Sequence, residues 1–501
     1  MNVVRYVIVL AALAVAAVPP LASAQGPSSI TVVVPADIRS LDKAVENLFN
    51  SAIVGSNILD RLFQFDEKMR LQPMLALSAK TVNDRTWEFK LRQGVKFQNG
   101  EPFDAQTVRY TVDRAKNFPR SALPYLVRDI TSVETPDPYT VRMTTGTPDP
   151  TLPNKFAWID IVPPRYAEQA GLRFGEQPVG TGPYRLVSWA KGSEIVTEAN
   201  PNYWGGKPTI ARVVYRIVPE PATRTAMLLN GEADLITNLD PDIVDRLANS
   251  PRTKVVRGIG LRRMLLVIGP LQRPLDDVRI RQALNYAVDR DTIIRTILRG
   301  YARKTNGLIH SIIAGHLNQL DTYYDYNPAK ARELMAAAGY PGGFAVDMYT
   351  TVGTFPKDKE TAEAIAAQYR QVGIRVNLIT MEWGKFFAQL NTKQMRGLSY
   401  MRYGNSIGDP SEGYFYSVWS KGVRPYVTDA RVDEMFEKAQ STVDPQRRIS
   451  LFREMERHAI TQVAPQIFLF ELENLFGLSR RLNWTPTPEE TINLRGATLA
   501  R

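Results

Sequence analysis

Between Trp87 and Arg92 the apolar residues Trp87, Phe89 and Leu91 alternate with Glu88, Lys90 and Arg92. That period of two predicts a strand with one face buried, and Gln93-Gly94 turns it. Ile30-Thr-Val-Val-Val34 predicts a short buried strand, and Asp60-Arg-Leu-Phe-Gln-Phe65 joins a helix end to another strand. Asp104 is placed to cap a helix carrying Val108, Val112 and Ala115 on one face. The first third therefore mixes hairpins with short helices. Proline-rich punctuation at 135–138, 147–150 and 162–164 marks loops between apolar elements.

From Glu220 onward the pattern changes. Thr223 to Asn230 predicts a helix closed by Gly231, with Ala233–Ile236 as the strand after it. Asp276 or Asp277 caps a helix facing inward through Ile280, Leu284 and Ala287, and Asp291 caps another with Ile294, Ile297 and Leu298 before Gly300. Asn327-Pro328 opens a third helix, stopped by Gly339. Phe344–Tyr349, a helix through Ala362 to Gln371, and Ile374–Leu378 then form a βαβ unit. The second half is thus an α/β lobe on a largely parallel sheet, with ligand contacts expected from loops at strand ends.

Residues 1–24 stand apart. Arg5 precedes the apolar run Val7–Val18, Pro19-Pro20 breaks it, and Ala22-Ser-Ala24 offers small residues for cleavage, so a mature chain starting at Gln25 in the periplasm is expected. The twelve apolar residues of that run fall short of the roughly 20 that span a bilayer. At 501 residues two or three substructures are expected. The chain has no cysteine, which rules out a disulfide or a lipid anchor on cysteine. Its formal charge of +11 falls to +10 once the leader, with one basic residue and no acid, is removed. Lysine and arginine are scattered rather than run together, a soluble surface rather than a nucleic-acid face.

Catalytic and cofactor signatures are weak. Gly180-Thr-Gly182 has Pro183 where a phosphate-binding helix would open, so a structural turn is favoured. His310, His316 and His458 are the only histidines and lack metal-ligand spacing, and no Gly-x-Ser-x-Gly elbow is present. No catalytic residue, metal or cofactor is expected. A carbohydrate hydrolase needs only two carboxyl groups and stays open as an alternative.

Several stretches carry a resemblance in order: Trp87–Gly100, Pro178-Val-Gly-Thr-Gly-Pro-Tyr184, Asn200-Pro-Asn-Tyr-Trp204, Asn230-Gly-Glu-Ala-Asp234, Asp277–Leu284 and Tyr340. Together the chain resembles the family 5 extracellular solute-binding proteins of ABC transporters, the class of the dipeptide and oligopeptide receptors. The resemblance implies an α/β, two-lobe periplasmic binding protein fold of type II, with hinged lobes and an extra inserted subdomain. It divides the chain into lobe I (25–55, 168–265 and 470–501), a subdomain inserted at 56–167, and lobe II (266–469), with inter-lobe strands near Val255–Ile268 and Gln466–Phe476. It implies a receptor for a small-molecule or peptide ligand, serving ABC permease subunits in the inner membrane, expected to be a monomer that binds no nucleic acid. A sensory receptor fits the same features.

The expected ligand-binding residues follow the same comparison. Met381–Leu390 contains a Glu-Trp-Gly stretch whose Trp383 matches a ligand-facing tryptophan of the family, although a tryptophan here fits a core equally. Tyr403, Asn405, Ser406 and Asp409 lie in the Gly/Asn/Asp-rich loop before Pro410. Asn47 and Asn50 are candidates from the first lobe. In the peptide receptors an aspartate four residues before this proline receives the ligand's ammonium group; here that position is Ser406. A neutral hydroxyl cannot neutralise a cation, so weak binding of free-amine peptides is expected, unless Asp409 compensates.

Overall fold

Two long antiparallel strands, Thr253–Ile268 and Gln466–Ser479, tie the molecule together in a computed structural model that describes residues 28–46, 49–119, 121–489 and 491–500. The expected leader and its cleavage site lie outside the described residues. The central pair fits the expected inter-lobe strands, extended by a few residues at the ends. Burial accounts for how deeply they pair: from Met264 to Ile268 every residue is buried, the continuous apolar run of a strand covered on both faces.

One sheet spreads from this pair in both directions. On one side Leu398–Tyr403 pairs with it antiparallel, followed by Ala345–Thr350 and Arg375–Thr380, both parallel. The expected βαβ unit is therefore present, with helix Asp358–Gln371 as its crossover. On the other side lie Leu235–Ile236, Ser29–Val34 and Arg212–Ile217 in parallel, then Glu194–Ala199 and Tyr184–Ala190 antiparallel. A separate antiparallel sheet of Ala76–Asn83, Thr86–Leu91, Thr140–Thr145 and Ile130–Asp137 stands apart from it. Helix Ala105–Asn117 packs Val108, Val112 and Ala115 into the same core as Phe89, Val141 and Met143 of that sheet. The tail returns to the first half, where Trp484, Ile492 and Leu494 share a core with Ile30, Val32 and Tyr215.

Local chemistry explains the element ends. Asp104 and Thr107 form a reciprocal capping box, Asp277 accepts from the Arg279 N–H, and Asn327 caps the helix that Pro328 begins. The expected cap at Asp291 is corrected: Asp289 accepts from the Thr292 N–H at 2.9 Å, because the helix starts at Arg290 and only Asp289 stands three residues before that donor. Asp291 instead pairs with Lys304.

Gly180-Thr-Gly182 is a packing turn. A Cβ on Gly180 would lie 1.9 Å from the Ile58 carbonyl oxygen, and the Gly182 N–H donates to that same oxygen. Thr181 donates to buried Asp60. The central strands carry the second special feature: pairing passes from Ile259↔Glu473 to Arg263↔Glu471, so four residues advance against two. This bulge contains Gly260, where a Cβ would lie 2.6 Å from the Leu472 carbonyl oxygen. Bulges bend a strand and raise its twist.

Candidate functional site

A cavity of about 390 Å³ opens between two parts of the chain far apart in sequence. One wall comes from Tyr125, Leu126 and the loop Thr147–Thr151 beside the small sheet; the other comes from Ile407 and the helices Ser411–Ser417 and Ala430–Ser441. The walls touch at the edge, where the Asn154 side-chain amide donates to the Ile407 carbonyl at 2.8 Å.

The helix Ser411–Ser417 starts directly after Pro410 and points an aromatic surface into the cavity. Phe415 and Trp419, four residues apart, lie with ring centroids 6.1 Å from each other, and Tyr416 lines the same wall. Opposite them, Lys155 is held by Asp149 at 2.5 Å, and Asp149 also accepts from the Thr151 N–H and hydroxyl. At the rim, Arg128 and Asp129 are exposed, and Glu437 pairs with Lys421 in solvent.

Glu412 differs from these charges. It is only 6% exposed and lines the cavity, where it accepts from the Ser406 hydroxyl at 2.7 Å and the Ile407 N–H at 3.1 Å. Burial, reinforced by the nearby negative Asp409, outweighs these two hydrogen bonds and pushes its carboxyl up from 4.5 to about 7. The leading influences on this carboxyl include no cation.

The structure distributes the expected ligand residues differently from the sequence reading. Asp409 is spent on Arg448, a bidentate pair at 2.6 and 2.8 Å with both side chains 8% exposed. Burial alone would raise the Asp409 carboxyl, but that guanidinium, with the hydrogen bonds from Ser411, holds it below the usual range. Asp409 therefore cannot compensate for Ser406. Asn405 closes the loop on itself: its amide donates to the Asp409 carbonyl and accepts from the Asp409 N–H. Ser406 positions Glu412.

Tyr403 is buried behind the aromatic wall, stacked on Tyr416 with centroids 5.8 Å apart and with the Arg424 guanidinium 5.9 Å from its ring. Trp383 does not line the cavity. It packs edge-on to Phe355, which in turn meets Tyr400 and lies under Arg402. Trp383 is half-buried and also meets the exposed Phe387 at 5.2 Å, and the Arg424 guanidinium lies between that ring and Tyr403, 5.4 Å from the one and 5.9 Å from the other. None of these five side chains lines the cavity. Asn47 lies outside the described residues, and Asn50 falls in helix Phe49–Ile58 without a described side chain.

Sequence reasoning stopped at Pro410 and missed the segment after it. Tyr414, Phe415, Tyr416 and Trp419 crowd four aromatics into six residues beside an acid, and all but the buried Tyr414 line the cavity.

Comparison with known proteins agrees with this architecture. The sequence pattern of the bacterial extracellular solute-binding proteins, family 5 (middle region), matches residues 70–424. The glutathione-binding protein GsiB of Salmonella paratyphi A is 30% identical over 458 residues, 88% of each chain. GsiB of Escherichia coli K12 is 28% identical over 439 residues, 85% of each. Two solved structures share the fold: AgaA of A. tumefaciens R10 in complex with agropinic acid (25% identity, TM-score 0.81, 94% of this chain and 99% of that one) and HbpA2 of Haemophilus parasuis (24%, 0.83, 94% and 100%). With the family pattern spanning most of the chain and the two-lobe fold matching along nearly its whole length, this protein belongs to the family 5 extracellular solute-binding proteins of bacteria.

Proposed function

We propose that this chain is the periplasmic receptor of an ABC importer, capturing a small organic solute in the cavity between Tyr125–Lys155 and Ile407–Ser441 and delivering it to a membrane permease. The observation that carries this reading is the cavity itself, built from an aromatic helix on one side and the small-sheet region on the other. Lobe I comprises 25–55, 168–265 and 470–501 with the insertion at 56–167, and lobe II comprises 266–469. The sheet order supports that division, because strands from the two sets lie on opposite sides of the central pair. The leader at 1–24 directs the chain to the periplasm, and no described helix is long and apolar enough to cross a membrane. The first solutes to try come from relatives: glutathione, after GsiB, and an opine acid, after AgaA.

A receptor binds without turnover, and ligand at about 100 times Kd stabilises the folded state by roughly 2.7 kcal/mol. Calorimetry and thermal unfolding with a panel of glutathione, di- and tripeptides and opines should give reversible one-to-one binding, a raised Tm and recovery of the solute unchanged. Conversion of the solute, or no rise in Tm with any member, contradicts the reading.

A further inference from the structure

We propose that Glu412 is the group that recognises a protonated nitrogen on the solute, so that this receptor takes ligands bearing an ammonium or guanidinium group. The inference rests on the receptor reading above and names its ligand class. A carboxyl buried to this degree in an aromatic cavity, with no cation among the leading influences on it, is costly once ionised. The cost falls away when a cation arrives. Phe415, Tyr416 and Trp419 beside it offer the aromatic faces that a desolvated cation favours.

The surrounding charges leave this role to Glu412. Asp409, whose carbonyl accepts the Glu412 N–H, is neutralised by Arg448, and Asp149 by Lys155. Arg128, Asp129 and Glu437 lie at the rim in water, where the first two pair with each other and Glu437 with Lys421. The Ser406 hydroxyl fixes the Glu412 carboxyl by donating to one oxygen. Recognition by Glu412 reverses the expectation drawn from Ser406 alone that free-amine peptides bind weakly.

Binding a cation requires ionised Glu412, so solute binding is coupled to proton release below its pKa of about 7. Calorimetry between pH 5.5 and 8.5 with glutathione and a set of di- and tripeptides, each with its N-acetylated form, tests this on the unmodified protein, with Glu412→Gln as the variant. A free-amine member should bind at least tenfold more tightly than its acetylated form. Its Kd should rise by up to about tenfold per pH unit below pH 7, with proton release that tracks buffer ionisation heat. Glu412→Gln should weaken the free-amine form by about one to two decades, the worth of a charge-assisted hydrogen bond, and remove the pH dependence. Equal affinity for both forms, or a flat pH profile, overturns the proposal even if the variant fails to fold. Failure of the receptor reading looks different: no solute, basic or not, raises Tm.

Discussion

The two carboxylates of the 405–412 loop have opposite environments, and each makes a prediction at the residue scale. Asp409 is matched by Arg448 in a buried bidentate pair, so removing the cation strands a charge in low dielectric. Arg448→Met should cost about 3–5 kcal/mol by chemical denaturation; a loss below about 1 kcal/mol shows that the pair is not holding the loop. Because Asp409 has its pKa lowered on folding, it contributes stability above its ordinary value of 3.8 and loses it as pH falls through the lower, folded value. Glu412 has the reverse sign. Its folded pKa is raised from 4.5 to about 7, so its stability is fully present below 4.5 and lost as pH rises through 7. That loss is roughly 3 kcal/mol in the ligand-free protein. Ligand-free Tm should therefore fall between about pH 5 and 8, and Glu412→Gln should flatten that fall; an unchanged slope in the variant places the titration elsewhere.

At the element scale, what the sequence makes legible is local. Asp104 with Thr107, Asn327 with Pro328, and the alternation of Trp87, Phe89 and Leu91 state their conformation within a few residues, and the structure forms those elements, although Glu88 on the polar face of the strand is buried and Trp87 only half-buried. The site is not local. Asp409 finds its partner 39 residues away in Arg448, and Asn154 meets Ile407 across 253 residues. No loop sequence alone shows which of its acids is neutralised, and that is why Asp409 reads as available and Glu412 passes unnoticed. Trp383 opens a helix after its strand, beside Phe355 and Phe387 rather than on the wall of this cavity, a placement set by packing between distant segments. The Gly180 turn gives the matching test of packing. Gly180→Ala drives a methyl into the Ile58 carbonyl and should destabilise by about 1–3 kcal/mol through forced backbone movement. Unchanged stability in thermal unfolding shows that the turn has room the close approach denies.

At the scale of the whole molecule, the central pair joins the two halves of the large sheet, and its bulge at 260–262 bends the strand between them. Ion pairs from Asp242 to Arg299 and Lys357 bridge the same two halves nearby. A solute that touches both walls of the cavity favours the closed arrangement, because only there does it gain both sets of contacts. Absence of cysteine makes this directly measurable, since paired labels can be placed without background. Ser132→Cys and Lys438→Cys put exposed labels on the small sheet and on the helix of the opposite wall. Pulsed electron spin resonance on this pair, with and without a saturating solute that raises Tm, should show a broad distance distribution collapsing to a shorter, narrow one; a tightly bound solute that leaves the distribution unchanged contradicts capture by closure of the two lobes.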